Sequence, residues 1–127
     1  MKIKMYQMFK ILNVYKSVKE LTVPAKVAYK FNKLCLSLNE DSKFYDEQLE
    51  KIIQKYADKT EDGTVKTSPD GGVQIKEGQV AAAQKEISNL DNLEIEVPDI
   101  YFNLDELDGL GLSIADFNAI LPFIKEE

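Results

Sequence analysis

From Ala28 to Tyr56 one run of residues sets the terms for the whole chain. Ala28, Phe31, Cys35, Leu38, Ser42, Tyr45, Leu49, Ile52 and Tyr56 follow one another in steps of three and four without a slip. That is a heptad seam, and only a helix brings such positions onto one face. Pro24 suits the first turn of that helix, where its missing N–H costs nothing. The spacing predicts one helix from Pro24 to about Asp58, roughly 50 Å long at about 1.5 Å per residue. The polar stretch Asn39-Glu40-Asp41-Ser42 lies at its middle, and the unbroken register predicts that the helix runs through it.

Two shorter helical patterns flank this spine. From Met5 to about Leu21, the residues Met5, Met8, Phe9, Leu12, Tyr15 and Val18 mark one apolar face. Thr22-Val23-Pro24 breaks that pattern, because the residue before a proline disfavours helix. From about Gln79 to Leu90, Val80, Ala83, Ile87 and Leu90 form a second stripe. Each short helix is expected to lie antiparallel on one half of the long one. Between the long helix and the last stripe, DGTVKTSPDGGVQIK alternates Val65, Thr67, Val73 and Ile75 around two Asp-Gly pairs. This predicts a β-hairpin over 62–77 at the tip of the helical pair.

The C-terminal third reads differently. Leu93, Ile95 and Val97 alternate with Glu94 and Glu96 and end at Pro98, which predicts a strand. Thr22-Val23 or a second chain is the expected partner. Asn103-Leu-Asp-Glu106 has the form of a capping box, with Gly109 as a stop. Ser113 and Asp116 make a second box, with Leu112 and Phe117 in staple positions. Pro122 disturbs the end of that helix, and Phe123 and Ile124 are expected to dock. The fold class is therefore mainly α with a small β component. It comprises a single domain over 1–127, with a helical hairpin over 1–92 and a C-terminal strand and short-helix lobe over 93–127.

The missing residue types narrow the chemistry. The chain has no His, no Arg and no Trp, and all 16 of its basic residues are lysines. Histidine triads, imidazole metal ligands and bidentate arginine clamps are thereby removed. The one cysteine, Cys35, allows no intramolecular disulfide and sits on the apolar seam as a small buried hydrophobe. Lysines and Asn13 interrupt the apolar start, as a signal peptide would not allow, and no window is apolar enough to span a membrane. The expectation is a cytoplasmic chain without a cofactor and without enzymatic activity.

Charge is segregated along the sequence. Met1 to Asn39 holds eight lysines and one acid, Glu20, about +7; Glu86 to Glu127 holds eleven acids and one lysine, Lys125, about −10. The net charge of −6 conceals this dipole. Either the acidic part folds back near the basic helices, or one of the two surfaces recruits a charged partner.

The motifs resolve mostly into structure. Asp58-Lys-Thr60-Glu-Asp62-Gly63 begins like a calcium-binding EF-hand loop, but Pro69 stands where the twelfth-position glutamate belongs. The glycines at 63, 71, 72 and 78 lack the lysine of a phosphate loop and read as turn residues. Asp105, Glu106 and Asp108 are carboxylates suited to capping and to solvent, and no metal is expected there. With net negative charge and no arginine, nucleic acid is a poor partner. Ile100-Tyr101-Phe102 is an apolar patch flanked by acids, expected to pack as core over the helical hairpin or, alternatively, to form a partner-binding hot spot. Tyr101, Phe102, Asp105, Glu106 and Asp108 are the candidate partner-binding residues.

In order, the chain reads LTVPAKVAYKFNKL, QKYADKTEDGTVKTSPDGGVQIK, LEIEVPDI and LDGLGLSIADFNAILPFI. This layout resembles a family of small uncharacterised proteins of tailed phages and prophages of low-GC bacteria. The resemblance implies a phage context and carries over no functional residue. In that context the expected function is a protein-binding module that inhibits or redirects a host or defence protein, anti-CRISPR activity being one example. The alternative is an assembly chaperone or minor structural protein that self-associates through the heptad seam.

Overall fold

The heptad run forms one uninterrupted helix. In a computed structural model describing residues 1–125, α2 spans Ala25–Tyr56, passing straight through Asn39–Ser42. Around it the chain forms β1 (Lys2–Lys4), α1 (Met5–Val18), α3 (Val80–Asp91), β2 (Glu94–Glu96), β3 (Phe102–Asn103), α4 (Leu104–Leu107), α5 (Ile114–Ala119) and β4 (Ile124–Lys125). The protein is mainly helical, with two small two-stranded sheets. No helix among the described residues is long and apolar enough to cross a membrane.

Two compact units divide the chain, one comprising Met1–Ser42 with the segment from Glu94 onward, the other Lys43–Leu93. The C-terminal segment thus joins the N-terminal helices rather than standing beside a hairpin over 1–92.

In the first unit the core is Met5, Met8, Ile11, Val14 and Val18 of α1, with Val27, Phe31, Leu34, Cys35 and Leu38 of α2. The buried stripes are rotated from those read in the sequence. Ile11 and Val14 are buried, while Phe9, Leu12 and Tyr15 are half-buried. On α2, Val27 and Leu34 replace Ala28, which is exposed. The reason is that the C-terminal segment also covers these helices. α5 packs on α1, Phe102 packs on Phe31 with ring centroids 4.5 Å apart, and Ile100, Leu107, Ile120 and Phe123 are buried as well. A helix contacted from more than one side buries a wider arc than a simple seam.

The strand after Leu93 pairs with neither expected partner. β2 lies antiparallel to β1 in the register Lys2↔Glu96, Ile3↔Ile95 and Lys4↔Glu94. Ile3 and Ile95 point into the core, and lysines face glutamates on the outside. The two segments, Lys-Ile-Lys and Glu-Ile-Glu, match in alternation and oppose in charge, which favours this cross-strand pairing. β3 and β4 pair in parallel, Phe102 opposite Ile124. The docking expected of Phe123 and Ile124 is observed.

In the second unit α3 runs antiparallel to the second half of α2: Tyr45 Oη donates to Asp91 Oδ1 at 2.8 Å, and Lys55 Nζ donates to Glu86 Oε1 at 3.3 Å. The chain reverses between the helices in antiparallel bridges, as expected, but through two successive turns. The bridges are Lys59↔Val65, Thr67↔Val73 and Ala57↔Ile75. Thr60-Glu-Asp62-Gly-Thr-Val65 and Ser68-Pro-Asp70-Gly-Gly-Val73 repeat the same pattern eight residues apart. In each turn the hydroxyl donates to the aspartate carboxylate, which also accepts the N–H two residues on, from Thr64 or Gly72, at 3.0 Å. Gly63 and Gly71 take positive φ, 86° and 87°, a region that a side chain disfavours. The main chain closes the repeat into a ring. Lys66 N–H donates to Asp58 C=O at 2.8 Å, Gln74 N–H to Lys66 C=O at 3.0 Å, and Asp58 N–H to Gln74 C=O at 2.8 Å. Three equivalent positions therefore bond head to tail, an approximate threefold arrangement with two arms ending in turns and the third continuing into α2 and α3.

Candidate functional site

The candidate residues sit where β3 passes into α4. Asn103 ends β3 and caps α4. Its Oδ1 accepts from Glu106 N–H at 2.9 Å, and its own N–H donates to Glu106 Oε1 at 3.0 Å. The capping box read in the sequence is thus formed in both directions. The box at Ser113 and Asp116 is formed as well.

The five candidates divide into two groups. Phe102 is fully buried at 0% exposure against Phe31, so its role is in the core and not at a binding surface. Glu106 is also withdrawn. Lys30 Nζ lies 2.7 Å from Oε1 and 2.9 Å from Oε2, and the two side chains are only 20% and 12% exposed. The Lys30 ammonium holds the Glu106 carboxyl below its ordinary value, the Asn103 N–H and the charge of Lys26 acting in the same direction. Period-two and capping patterns do not say which face meets a helix; here Phe102 and Glu106 face Phe31 and Lys30 of α2. Asp105 and Asp108 remain exposed. Tyr101 is half-buried beneath Lys125, whose Nζ is 4.2 Å from the ring centroid, within the range of a cation–π contact.

Lys26, Lys30, Lys125, Tyr101, Asn103 and Glu106 line a shallow cavity of about 210 Å³. Its cations are partly committed, Lys30 to Glu106 and Lys125 to Tyr101. This arrangement fastens β3 and α4 onto α2, leaving the outer side of the lobe to solvent. Exposed in this lobe are Asp105 and Asp108 of α4 and two apolar residues, Leu104 of α4 at 51% and Ile114 of α5 at 82%. Leu104 and Ile114 lie just inside the two capped helix starts. A capping pattern does not say which side of a short helix meets solvent, so the sequence carries no mark of their exposure.

Cys35 is buried, and burial pushes its thiol up to about 11, away from the thiolate that nucleophilic chemistry requires. Among the described residues no group of three or more His, Cys, Asp or Glu is placed to hold a metal ion.

The segregated charges fold together only in part. Among the described residues, the ion pairs linking the N-terminal part to the acidic segment are Lys30–Glu106 and those of the Met1 amine with Glu96 and Asp99. Lys16, Lys19, Lys26 and Lys33 form no ion pair there, nor do Asp105 and Asp108. Comparison with family models, curated proteins and solved structures gave no match.

Proposed function

We propose that this chain is a non-enzymatic, phage-encoded protein-binding module that acts in the host cytoplasm. It would inhibit or redirect a host or defence protein, a CRISPR effector being one such target. The observation that supports this reading is the exposed part of the C-terminal lobe, where α4 presents Leu104 next to Asp105 and one turn from Asp108, and α5 presents Ile114. Apolar anchors within a charged rim are the usual composition of a binding patch. The contact set is accordingly Tyr101, Asp105 and Asp108 with Leu104 and Ile114, while Phe102 and Glu106 support it from behind.

The test is affinity purification of the tagged protein from infected cells, with mass spectrometry. One host protein should be recovered with the wild type and lost with Asp105→Asn/Asp108→Asn. Recovery of virion proteins instead, or an unchanged catch with the double variant, would reject the reading.

A specific observation also favours the second reading, an assembly chaperone or minor structural protein acting as an oligomer. In the α2–α3 hairpin, Leu49, Ile52, Ile53 and Ile87 are only half-buried. Two helices rarely bury their apolar faces without further cover. Light scattering over a range of concentrations separates the two: a monomer at all concentrations removes the oligomer, and a stable multimer that Ile52→Asp dissolves supports it.

A further inference from the structure

A second surface lies apart from the acidic lobe, and its chemistry is opposite. Where α1 ends and α2 begins, a groove of about 470 Å³ opens between Tyr15, Val18, Leu21, Val23, Tyr29 and Phe31. Its floor is apolar, since Val18 and Phe31 are core residues. Its walls are apolar too, yet exposed: Leu21 by 43% and Tyr29 by 65%. Proline sets this geometry. Pro24 caps α2, its carbonyl accepting from Val27 and Ala28 N–H at 3.0 Å. The short extended segment before it holds Val23 at the groove's edge rather than in the core.

The rim is cationic. Lys19 lines the groove, Lys33 lies 6.0 Å from the Tyr29 ring centroid, and Lys16 is exposed one turn before Lys19. None of the three has an ion-pair partner among the described residues, and the only acid from Met1 to Asn39 is Glu20. Exposed lysines alone are ordinary. Lysines around an exposed tyrosine and leucine, above an apolar floor, are complementary to one kind of ligand.

We infer that this groove docks an acidic protein segment carrying a large apolar side chain. The apolar group fills the space between Leu21, Val23 and Tyr29, and carboxylates on either side meet Lys16, Lys19 and Lys33. A protein segment fits better than a nucleic acid. Only one lysine lines the groove itself, whereas a phosphate backbone needs a track of cations and prefers arginine. The apolar walls, aliphatic at Leu21 and Val23 and aromatic at Tyr29, suit a leucine or phenylalanine side chain better than a charged sugar–phosphate strand. The partner contacted here is chemically distinct from one that meets the acidic lobe, so a single chain can bridge two proteins.

The test is two-dimensional NMR of the full, isotope-labelled protein. The probe is a glutamate-rich peptide with a central leucine–phenylalanine pair. One control is a poly-glutamate peptide of equal charge, and another is a single-stranded oligonucleotide. The probe should shift the amides of Lys19, Leu21, Val23 and Tyr29 saturably, and the shifts should weaken with salt. Tyr29→Ala and Lys19→Glu, both at exposed positions, should each weaken binding by about tenfold while leaving the spectrum folded. The inference fails on any of four results: no saturable shift at the groove, equal binding by poly-glutamate, tighter binding by the oligonucleotide, or unchanged affinity in Tyr29→Ala.

Discussion

Lys30 of α2 and Glu106 of α4 form, among the described residues, the one ion pair that joins the N-terminal helices to the C-terminal helices, with Nζ 2.7 Å and 2.9 Å from the two carboxylate oxygens. Both side chains are mostly sheltered, and Glu106 also accepts from the Asn103 N–H. Replacing Glu106 with Gln leaves the Lys30 ammonium half-buried without its counter-charge. A loss of about 1–3 kcal/mol is expected, read by urea denaturation at neutral pH. The pH dependence follows from the lowered pKa of Glu106. A carboxylate held below its unfolded value stabilises the fold above that value, 4.5, and the contribution is lost as pH falls through the lower folded value. The gap between wild type and Glu106→Gln should therefore be full at pH 7 and should close under strongly acidic conditions. A constant gap would mean that the charge is idle.

Phe102 and Asp105 are three residues apart and should behave oppositely. Phe102 is buried on Phe31, and Phe102→Ala should cost about 3–5 kcal/mol by opening a cavity. Asp105→Asn and Asp108→Asn, both at exposed positions, should move stability by less than about 0.5 kcal/mol. Thermal denaturation of the three variants separates the support of the lobe from its outer surface. If Asp105→Asn also destabilised strongly, the acidic side would be structural.

The β1–β2 pair places Lys2 opposite Glu96 and Lys4 opposite Glu94, on either side of Ile3 and Ile95. Lys2→Glu/Lys4→Glu sets like charges against each other and should cost about 1 kcal/mol. Adding Glu94→Lys/Glu96→Lys reverses the polarity and should restore most of that loss. The readout is a double-mutant cycle by chemical denaturation. Additive losses, with no rescue, would show that the register is held by the isoleucines alone.

The same pair shows what the sequence made legible. Local signals carried well. The heptad run gave a continuous α2, and both capping boxes formed where Asn103, Glu106, Ser113 and Asp116 predicted. These signals depend on neighbours within a few residues, where spacing fixes geometry. The partner of β2 lies far off in sequence, in Lys2–Lys4, a segment short enough to pass as the start of a helix. Its only mark was the mirrored charge of Lys-Ile-Lys and Glu-Ile-Glu. The rotated buried stripes of α1 and α2, and the withdrawal of Phe102 and Glu106, have the same origin. They follow from which helix the C-terminal segment covers, and periodicity carries no information about that choice.

The eight-residue repeat of the two turns is legible in the sequence, and it makes the most direct prediction. Asp62 accepts from the Thr60 hydroxyl and from Thr64 N–H, and Asp70 accepts from the Ser68 hydroxyl and Gly72 N–H. All four donors favour the ionised carboxylate. They hold Asp62 down to about 2 and Asp70 below the ordinary 3.8. Because the folded values are depressed, both turns are strengthened above 3.8, and that strengthening disappears as pH falls through each lowered folded value, about 2 for Asp62. Carboxyl carbon NMR should show Asp62 titrating at about 2, with the Thr64 amide moving in step. Thr60→Val removes the leading donor and should return Asp62 toward its ordinary value, while Ser68→Ala should act on Asp70 alone. Since Asp58, Lys66 and Gln74 bond in a ring, protection against amide exchange at these three positions, measured relative to the intrinsic rate at each pH, should fall together in acid. Independent losses of protection would show that the two turns are separate, and that the eight-residue repeat does not act as one unit.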